Sequence, residues 1–125
     1  NFNPKKVVIY EGDNDINSGQ DINFIYKNIL KIIERIKDKN HKIKIILISA
    51  KPSISRWHLR DKYIQLNQKY RELANKSDFI EFADTWSAMI ENGVLKKDIF
   101  IEDGLHLNEK GYEIWEKTLK KVFYK

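Results

Sequence analysis

The sequence predicts an α/β fold in which a parallel sheet is flanked by helices, and three observations lead to this prediction. Short apolar runs within 5–10, 43–49 and 78–82 are typical of strands that are buried on both faces. The longer segments between and after them repeat apolar residues every three or four positions, as amphipathic helices do. Because strands and helices alternate along all 125 residues, we expect residues 1–125 to form one α/β domain.

The first two-thirds of the chain contain the clearest elements. The strand at 5–10 reads Val-Val-Ile-Tyr after two lysines, and Gly12 ends it. A helix over 21–39 places its isoleucines on one face, and the strand at 43–49 is stopped by Pro52, which cannot continue a central strand. A second helix spans 59–73, where apolar residues alternate in steps of four and three. The third strand follows at 78–82.

The last third of the chain is less regular. A short helix within 83–97 is predicted to end at Asn92-Gly93, because glycine commonly follows a helix C-terminus. Residues 99–101 then lead into a loop over 103–106. Asn108 is a favourable helix N-cap, and apolar residues at 112, 115, 119 and 122 predict a last amphipathic helix.

The composition excludes several classes of site. The chain has no cysteine, so it forms no disulfide, no thiolate metal site and no cysteine nucleophile. No run of about 18 apolar residues occurs, so we expect no membrane span. The net charge is +5, but the lysines are spread among glutamates along the predicted helices, which favours a solvated surface over a nucleic-acid site.

Polar loops follow the predicted strands at one edge of the sheet. Residues 11–15 follow the first strand, and residues 51–53 follow the second. In parallel sheets ligands bind beyond the carboxyl ends of the strands, and the loop at 103–106 can return to the same edge. We therefore expect these three loops to converge and to form the functional site.

Asp103 and His106 are candidates for a catalytic pair. An imidazole is the usual general base, and a carboxylate fixes its tautomer and stabilises its charged form. Gly104 allows a tight turn between them. Two alternatives remain open for the isolated pair, a surface turn and a metal site, although no second histidine lies at ligand spacing.

Asn14 is a candidate oxyanion donor at the end of the first strand. A side-chain amide can donate an N–H group to a developing oxyanion, but the same residue can also form a simple Asx-turn. Asp13 is a candidate for binding a substrate hydroxyl, or it caps a turn. Trp57 either contacts an acyl or alcohol group over the site or packs on the core at a helix start.

The two polar stretches together resemble motifs of the SGNH hydrolases, also called the GDSL esterase/lipase family. Gly12-Asp13-Asn14-Asp15 after a buried strand resembles the third block, Gly-x-Asn-Asp, and Asp103-Gly104-Leu105-His106 resembles the fifth block, Asp-x-x-His. Their spacing and the order of strands and helices agree as well. The resemblance covers essentially the whole chain, as the C-terminal two-thirds of such a domain.

The resemblance implies a fold, an activity and residue roles. The fold would be a flavodoxin-like three-layer α/β/α sandwich that lacks its first strands here. The activity would be hydrolysis of a small-molecule, lipid or carbohydrate acyl ester through an acyl-enzyme, without metal or cofactor. His106 would be the general base, Asp103 would orient it, and Asn14 would donate to the oxyanion.

The resemblance stops at the nucleophile. The family's first block, Gly-Asp-Ser, is absent from the sequence, and no serine directly follows a glycine. We therefore expect the chain to be a fragment of a longer esterase, inactive alone, whose strand at 5–10 is covered by a missing N-terminal segment or by a second copy. A nucleophile outside the chain is favoured over Ser49 or Ser53, although both serines lie at the correct edge of the sheet. The alternative is a binding or interaction module without catalytic activity on the same scaffold.

Overall fold

The structure is a computed structural model that describes residues 5–124. A parallel sheet with the strand order β1-β2-β3 forms its centre, and β4 and β5 form a separate antiparallel hairpin. The strands are β1 Lys6–Tyr10, β2 Lys44–Ile48, β3 Ile80–Ala83, β4 Ile90–Glu91 and β5 Val94–Leu95. The helices are α1 Asp13–Asn17, α2 Ile22–Lys39, α3 Arg60–Lys76, α4 Thr85–Ala88 and α5 Glu109–Phe123.

The position of β2 at the centre of the sheet explains why its residues are apolar without alternation. Ile45 and Leu47 are fully buried in a cluster with residues of α2 and α3. Ile46 and Ile48 belong to a second cluster, against which residues of α5 pack. Helices therefore cover both faces of this strand, and the predicted α/β fold with a parallel sheet between helix layers is confirmed.

Strand β1 lies at the edge of the sheet among the described residues. It pairs in parallel with β2, with Val8 opposite Ile46. Ile9 is buried, whereas Val8 is 45% exposed. Val8 lies on the same face of the sheet as Ile46, against which residues of α5 pack. An apolar strand at an edge leaves unpaired backbone groups available for another strand.

Two local predictions were wrong. The stretch 11–15 was expected to be a loop, but residues 13–17 form the short helix α1. Helix α4 ends at Ala88, and Asn92-Gly93 instead forms the turn of the β4–β5 hairpin. Both residues have positive φ, 53° and 76°, as a two-residue hairpin turn requires, so the Asn-Gly pair indicated a hairpin and not a helix end.

Within residues 5–124, no helix has the length and apolar character needed to cross a bilayer. The same part of the chain contains no group of three or more histidine, aspartate or glutamate side chains placed to hold a metal ion.

Candidate active site

A cavity of about 340 Å³ lies at the carboxyl end of the parallel sheet. Its lining comes from the three loops that the sequence predicts to converge, and from the start of α5. It brings together the two predicted stretches, since Asn14 and His106 both line it. The remaining lining residues are Tyr10, Asp13, Lys51, Arg56, Leu105, Leu107, Tyr112 and Trp115.

Asp103 and His106 are in direct contact. His106 Nδ1 lies 2.5 Å from Asp103 Oδ2. The other carboxylate oxygen, Oδ1, accepts hydrogen bonds from the backbone N–H groups of Leu105 and His106, both at 2.9 Å. The carboxylate is therefore fixed by three donors within a single turn, and it fixes the imidazole ring in return.

The hydrogen bonds of this pair determine the ionisation of Asp103. The hydrogen bond from His106, followed by the backbone N–H groups of Leu105 and His106, lowers the pKa of Asp103 to about 2. Asp103 is thus ionised at neutral pH and accepts a hydrogen bond from the Nδ1–H group of His106, which selects this tautomer of the imidazole. That tautomer leaves the lone pair of His106 on Nε2, the atom that a general base uses.

The loop that carries the pair is held over the sheet from several sides. Gly104 has φ of 65°, so the tight turn uses a conformation that glycine adopts without strain. Its carbonyl accepts a hydrogen bond from the Ser55 backbone N–H at 2.9 Å. Lys51 Nζ, from the loop that follows β2, donates to the Leu105 carbonyl at 2.7 Å. The His106 loop is therefore attached to the loop that follows the central strand.

Asn14 reaches the cavity because of the backbone at Gly12. Gly12 has φ of 117°, and a Cβ there would lie 2.6 Å from Leu66 Cδ2, so the position admits only glycine without a shift. This sharp change of direction after β1 starts helix α1 immediately, and Asn14 lies in its first turn. The Asn14 side-chain oxygen accepts a hydrogen bond from Arg56 Nη1 at 3.1 Å.

Asp13 also lines the cavity, but its carboxylate has partners within the chain. Arg56 Nη1 lies 2.8 Å from Asp13 Oδ1, and the side chains of both residues are 13% exposed. The Tyr63 hydroxyl donates to the same oxygen. Burial, followed by the hydrogen bond to Asp13, raises the pKa of Tyr63, so its hydroxyl keeps the proton that it donates. The contact of Asp13 with a substrate stays a prediction.

Trp57 does not line this cavity. It begins a single 3-10 turn, Trp57–Leu59, and stacks on Trp86 with ring centroids 5.7 Å apart. It lines a neighbouring pocket of about 280 Å³ together with Ile54 and Val94. The structure thus separates Trp57 from Asn14 and His106, and its contact with an acyl group stays a prediction.

The two serines considered as substitute nucleophiles, Ser49 and Ser53, have structural partners. The buried Ser49 hydroxyl is hydrogen-bonded to Thr85 Oγ1 at 2.9 Å and accepts from the Trp86 backbone N–H at 3.0 Å. Ser53 is buried as well, and its hydroxyl accepts from the Arg56 backbone N–H. Across residues 5–124, no serine hydroxyl is hydrogen-bonded to His106.

Sequence reasoning did not name Arg56 or Lys51 as a site residue, although it placed residues 51–53 in a loop expected to form the site. The end of the second strand was expected at this edge, and this signal could have indicated Lys51, which directly follows the buried Ala50. Arg56 lies five residues further along a loop, where no periodicity applies. Arg56 contacts Asp13 and Asn14, which lie 43 and 42 positions earlier in the chain, and these contacts are visible only in the folded structure.

Solved structures with the same fold include several named hydrolases. A Streptococcus pneumonia protein described as a candidate platelet activating factor is 30% identical, with a TM-score of 0.82, over 94% of this chain and 58% of that one. A candidate acylhydrolase from Bacteroides fragilis is 29% identical, with a TM-score of 0.76, over 94% and 60%. A GDSL-like lipase from Bacteroides thetaiotaomicron is 26% identical, with a TM-score of 0.76, over 94% and 61%.

The chain spans about three-fifths of the length of these structures. A search of curated protein sequences finds no match. The family description GDSL-like lipase/acylhydrolase matches residues 1–114, which is nearly the whole chain. This match covers more than half of the chain, and the chain therefore belongs to the GDSL-like lipase/acylhydrolase family.

Proposed function

We propose that the full-length protein in which these residues occur is a serine ester hydrolase. The observation that carries this proposal is that His106, which is in contact with Asp103, lines the same cavity as Asn14. His106 is the general base, Asp103 holds its tautomer, and Asn14 donates to the oxyanion. Family membership and the names of the 29% and 26% identical neighbours, an acylhydrolase and a lipase, support an acyl ester as the substrate.

The reaction uses these residues in a fixed order. His106 Nε2 takes the proton of a serine hydroxyl as the serine oxygen attacks the acyl carbonyl. The carbonyl oxygen becomes an oxyanion, which accepts a hydrogen bond from Asn14 Nδ2. The imidazolium then gives its proton to the leaving alcohol, and water hydrolyses the acyl-enzyme by the same route. Asp103 stays ionised throughout, because its pKa lies near 2.

We place the nucleophilic serine outside residues 1–125. The bonded, buried positions of Ser49 and Ser53 argue against either as the nucleophile. Among residues 5–124 only β2 pairs with β1, and its other edge, with Val8 exposed, is a surface on which a further parallel strand could pair and deliver the serine to the cavity. A second copy that covers this edge, and a scaffold that only binds, are the competing outcomes.

The test is hydrolysis of p-nitrophenyl acetate by the full-length protein. We expect His106→Ala to lower kcat by about 10⁴-fold or more, because the serine then has no base. His41→Ala, at an exposed histidine just after α2, is the matched control and should retain wild-type turnover. A wild-type protein without turnover indicates a binding module, and full activity in His106→Ala contradicts the proposed role of that residue.

A further inference from the structure

Arg56 has a position that the serine hydrolase mechanism alone does not explain. It lies in the loop between β2 and α3, and its side chain is only 13% exposed. One guanidinium nitrogen, Nη1, is 2.8 Å from Asp13 Oδ1 and 3.1 Å from Asn14 Oδ1. The same side chain lines the cavity that contains His106. Arg56 therefore contacts the proposed oxyanion donor directly, from outside the Gly-Asp-Asn stretch.

The chemistry of the guanidinium decides which way the Asn14 amide turns. Arginine has only donors, so a rotated amide would place the Asn14 NH₂ group against the N–H groups of Arg56. Only the orientation with Oδ1 toward Arg56 makes a hydrogen bond. In that orientation Nδ2 carries both amide protons away from Arg56, where an oxyanion can accept one of them.

Arg56 is itself held in place by an internal network. Asp13 accepts from Arg56 and from the Tyr63 hydroxyl, which comes from the buried side of α3. The Arg56 backbone N–H donates to Ser53 Oγ at 3.2 Å, which fixes the loop at the same residue. A charge-assisted pair in this half-buried setting keeps its geometry better than a pair in open solvent.

We propose that Arg56 is a positioning residue that holds the Asn14 amide with its N–H group toward the oxyanion. This inference rests on the proposed ester hydrolase function and names an additional residue that this function requires. Arg56 acts through Asn14 and touches neither the serine nor the leaving group. Its loss should lower kcat more than it raises KM, because the interaction it supports is made mainly in the transition state.

The experiment is a double-mutant cycle on p-nitrophenyl acetate hydrolysis by the full-length protein. We expect Asn14→Ala to lower kcat by about 10²- to 10³-fold, as for other side-chain oxyanion donors. Arg56→Met should lower kcat by about 10- to 100-fold, since a misplaced donor loses most of its effect. In the Asn14→Ala background, Arg56→Met should change kcat by less than about threefold, because no amide remains to be oriented.

Two controls keep the result interpretable. Arg71→Met removes an arginine of α3 from a 2.6 Å ion pair with Asp84, and it should leave kcat unchanged because neither residue lines the cavity. Should Arg56→Met fail to fold because Asp13 loses its cation, the same cycle is run in an Asp13→Asn background, where no carboxylate is left unpaired.

The outcomes separate this inference from the function on which it rests. An active protein in which Asn14→Ala lowers kcat but Arg56→Met does not would overturn the role of Arg56 alone. Equal effects of Arg56→Met with and without Asn14 would also overturn it, because Arg56 would then act independently of the amide. A wild-type protein that hydrolyses no ester would overturn the proposed function and this inference together.

Discussion

Single polar atoms in the cavity decide what chemistry the site can perform. The Asp103 carboxylate accepts hydrogen bonds from three donors, and the Asn14 side-chain oxygen accepts one from Arg56. Within the described part of the chain, no hydrogen bond engages His106 Nε2 or Asn14 Nδ2. These are the two groups that the proposed mechanism assigns to the serine and the ester carbonyl.

The ionisation of Asp103 gives a prediction about pH. We expect the side-chain carboxyl ¹³C shift of Asp103 to titrate with a midpoint near 2, and His106→Ala to move this midpoint upward, since the His106 hydrogen bond is the largest cause of the lowered pKa. Because the folded pKa lies below the usual value of about 3.9, the stability contributed by the charged form is fully present above about pH 4. It is lost as the pH falls through about 2. Titration of wild-type Asp103 near its usual value would contradict the hydrogen-bonded geometry.

Among the elements, helix α5 controls where the His106 loop lies. Asn108 caps the helix by accepting from the Gly111 backbone N–H at 3.0 Å, and its amide donates to the Asp98 carbonyl at 2.9 Å. Gly111 packs so closely that a Cβ there would lie 2.4 Å from the Ile99 carbonyl oxygen. The start of α5 is therefore held by a hydrogen bond to Asp98 and by close packing on Ile99, and these contacts fix the base of the loop that carries His106.

This packing predicts an unusual response to alanine. In an open helix, Gly→Ala stabilises by about 1 kcal/mol. We expect Gly111→Ala instead to destabilise by about 1–3 kcal/mol, because the added methyl collides with backbone and cannot be relieved by a rotamer change. Urea denaturation measures the difference, with Lys117→Ala on the exposed side of α5 as the control that should change little. Stabilisation by Gly111→Ala would show that the helix is not packed against residue 99.

The elements were predictable from sequence where a repeating pattern continues over several turns or a full strand. The isoleucines of α2 and the apolar run of β2 specify their elements because one or both faces are buried. Helix α1, with five residues, and strand β4, with two, were not predicted because they are too short to show a repeating pattern. The Asn92-Gly93 pair was a usable hairpin signal that was read as a helix end.

For the whole molecule, the site is an assembly of distant segments at one sheet edge. The Gly12–Asn14 and Asp103–His106 stretches could be related through the fold class, because parallel strands place their C-terminal loops together. Arg56 could not be placed in this way, since its contact with Asn14 depends on where one loop crosses another. Family motifs thus indicated the residues proposed to perform the chemistry, whereas the contact of Arg56 with Asn14 was visible only in the folded structure.

The most direct measurement of the central claim is covalent labelling of the full-length protein with a serine-reactive fluorophosphonate, followed by peptide mass spectrometry. We predict that the modified serine lies outside residues 1–125 and that His106→Ala slows labelling by about 10³-fold or more, because the base that activates the serine is gone. Labelling at Ser49 or Ser53, or labelling that proceeds at the wild-type rate in His106→Ala, would contradict the claim that this chain supplies the base and oxyanion donor for a serine held elsewhere.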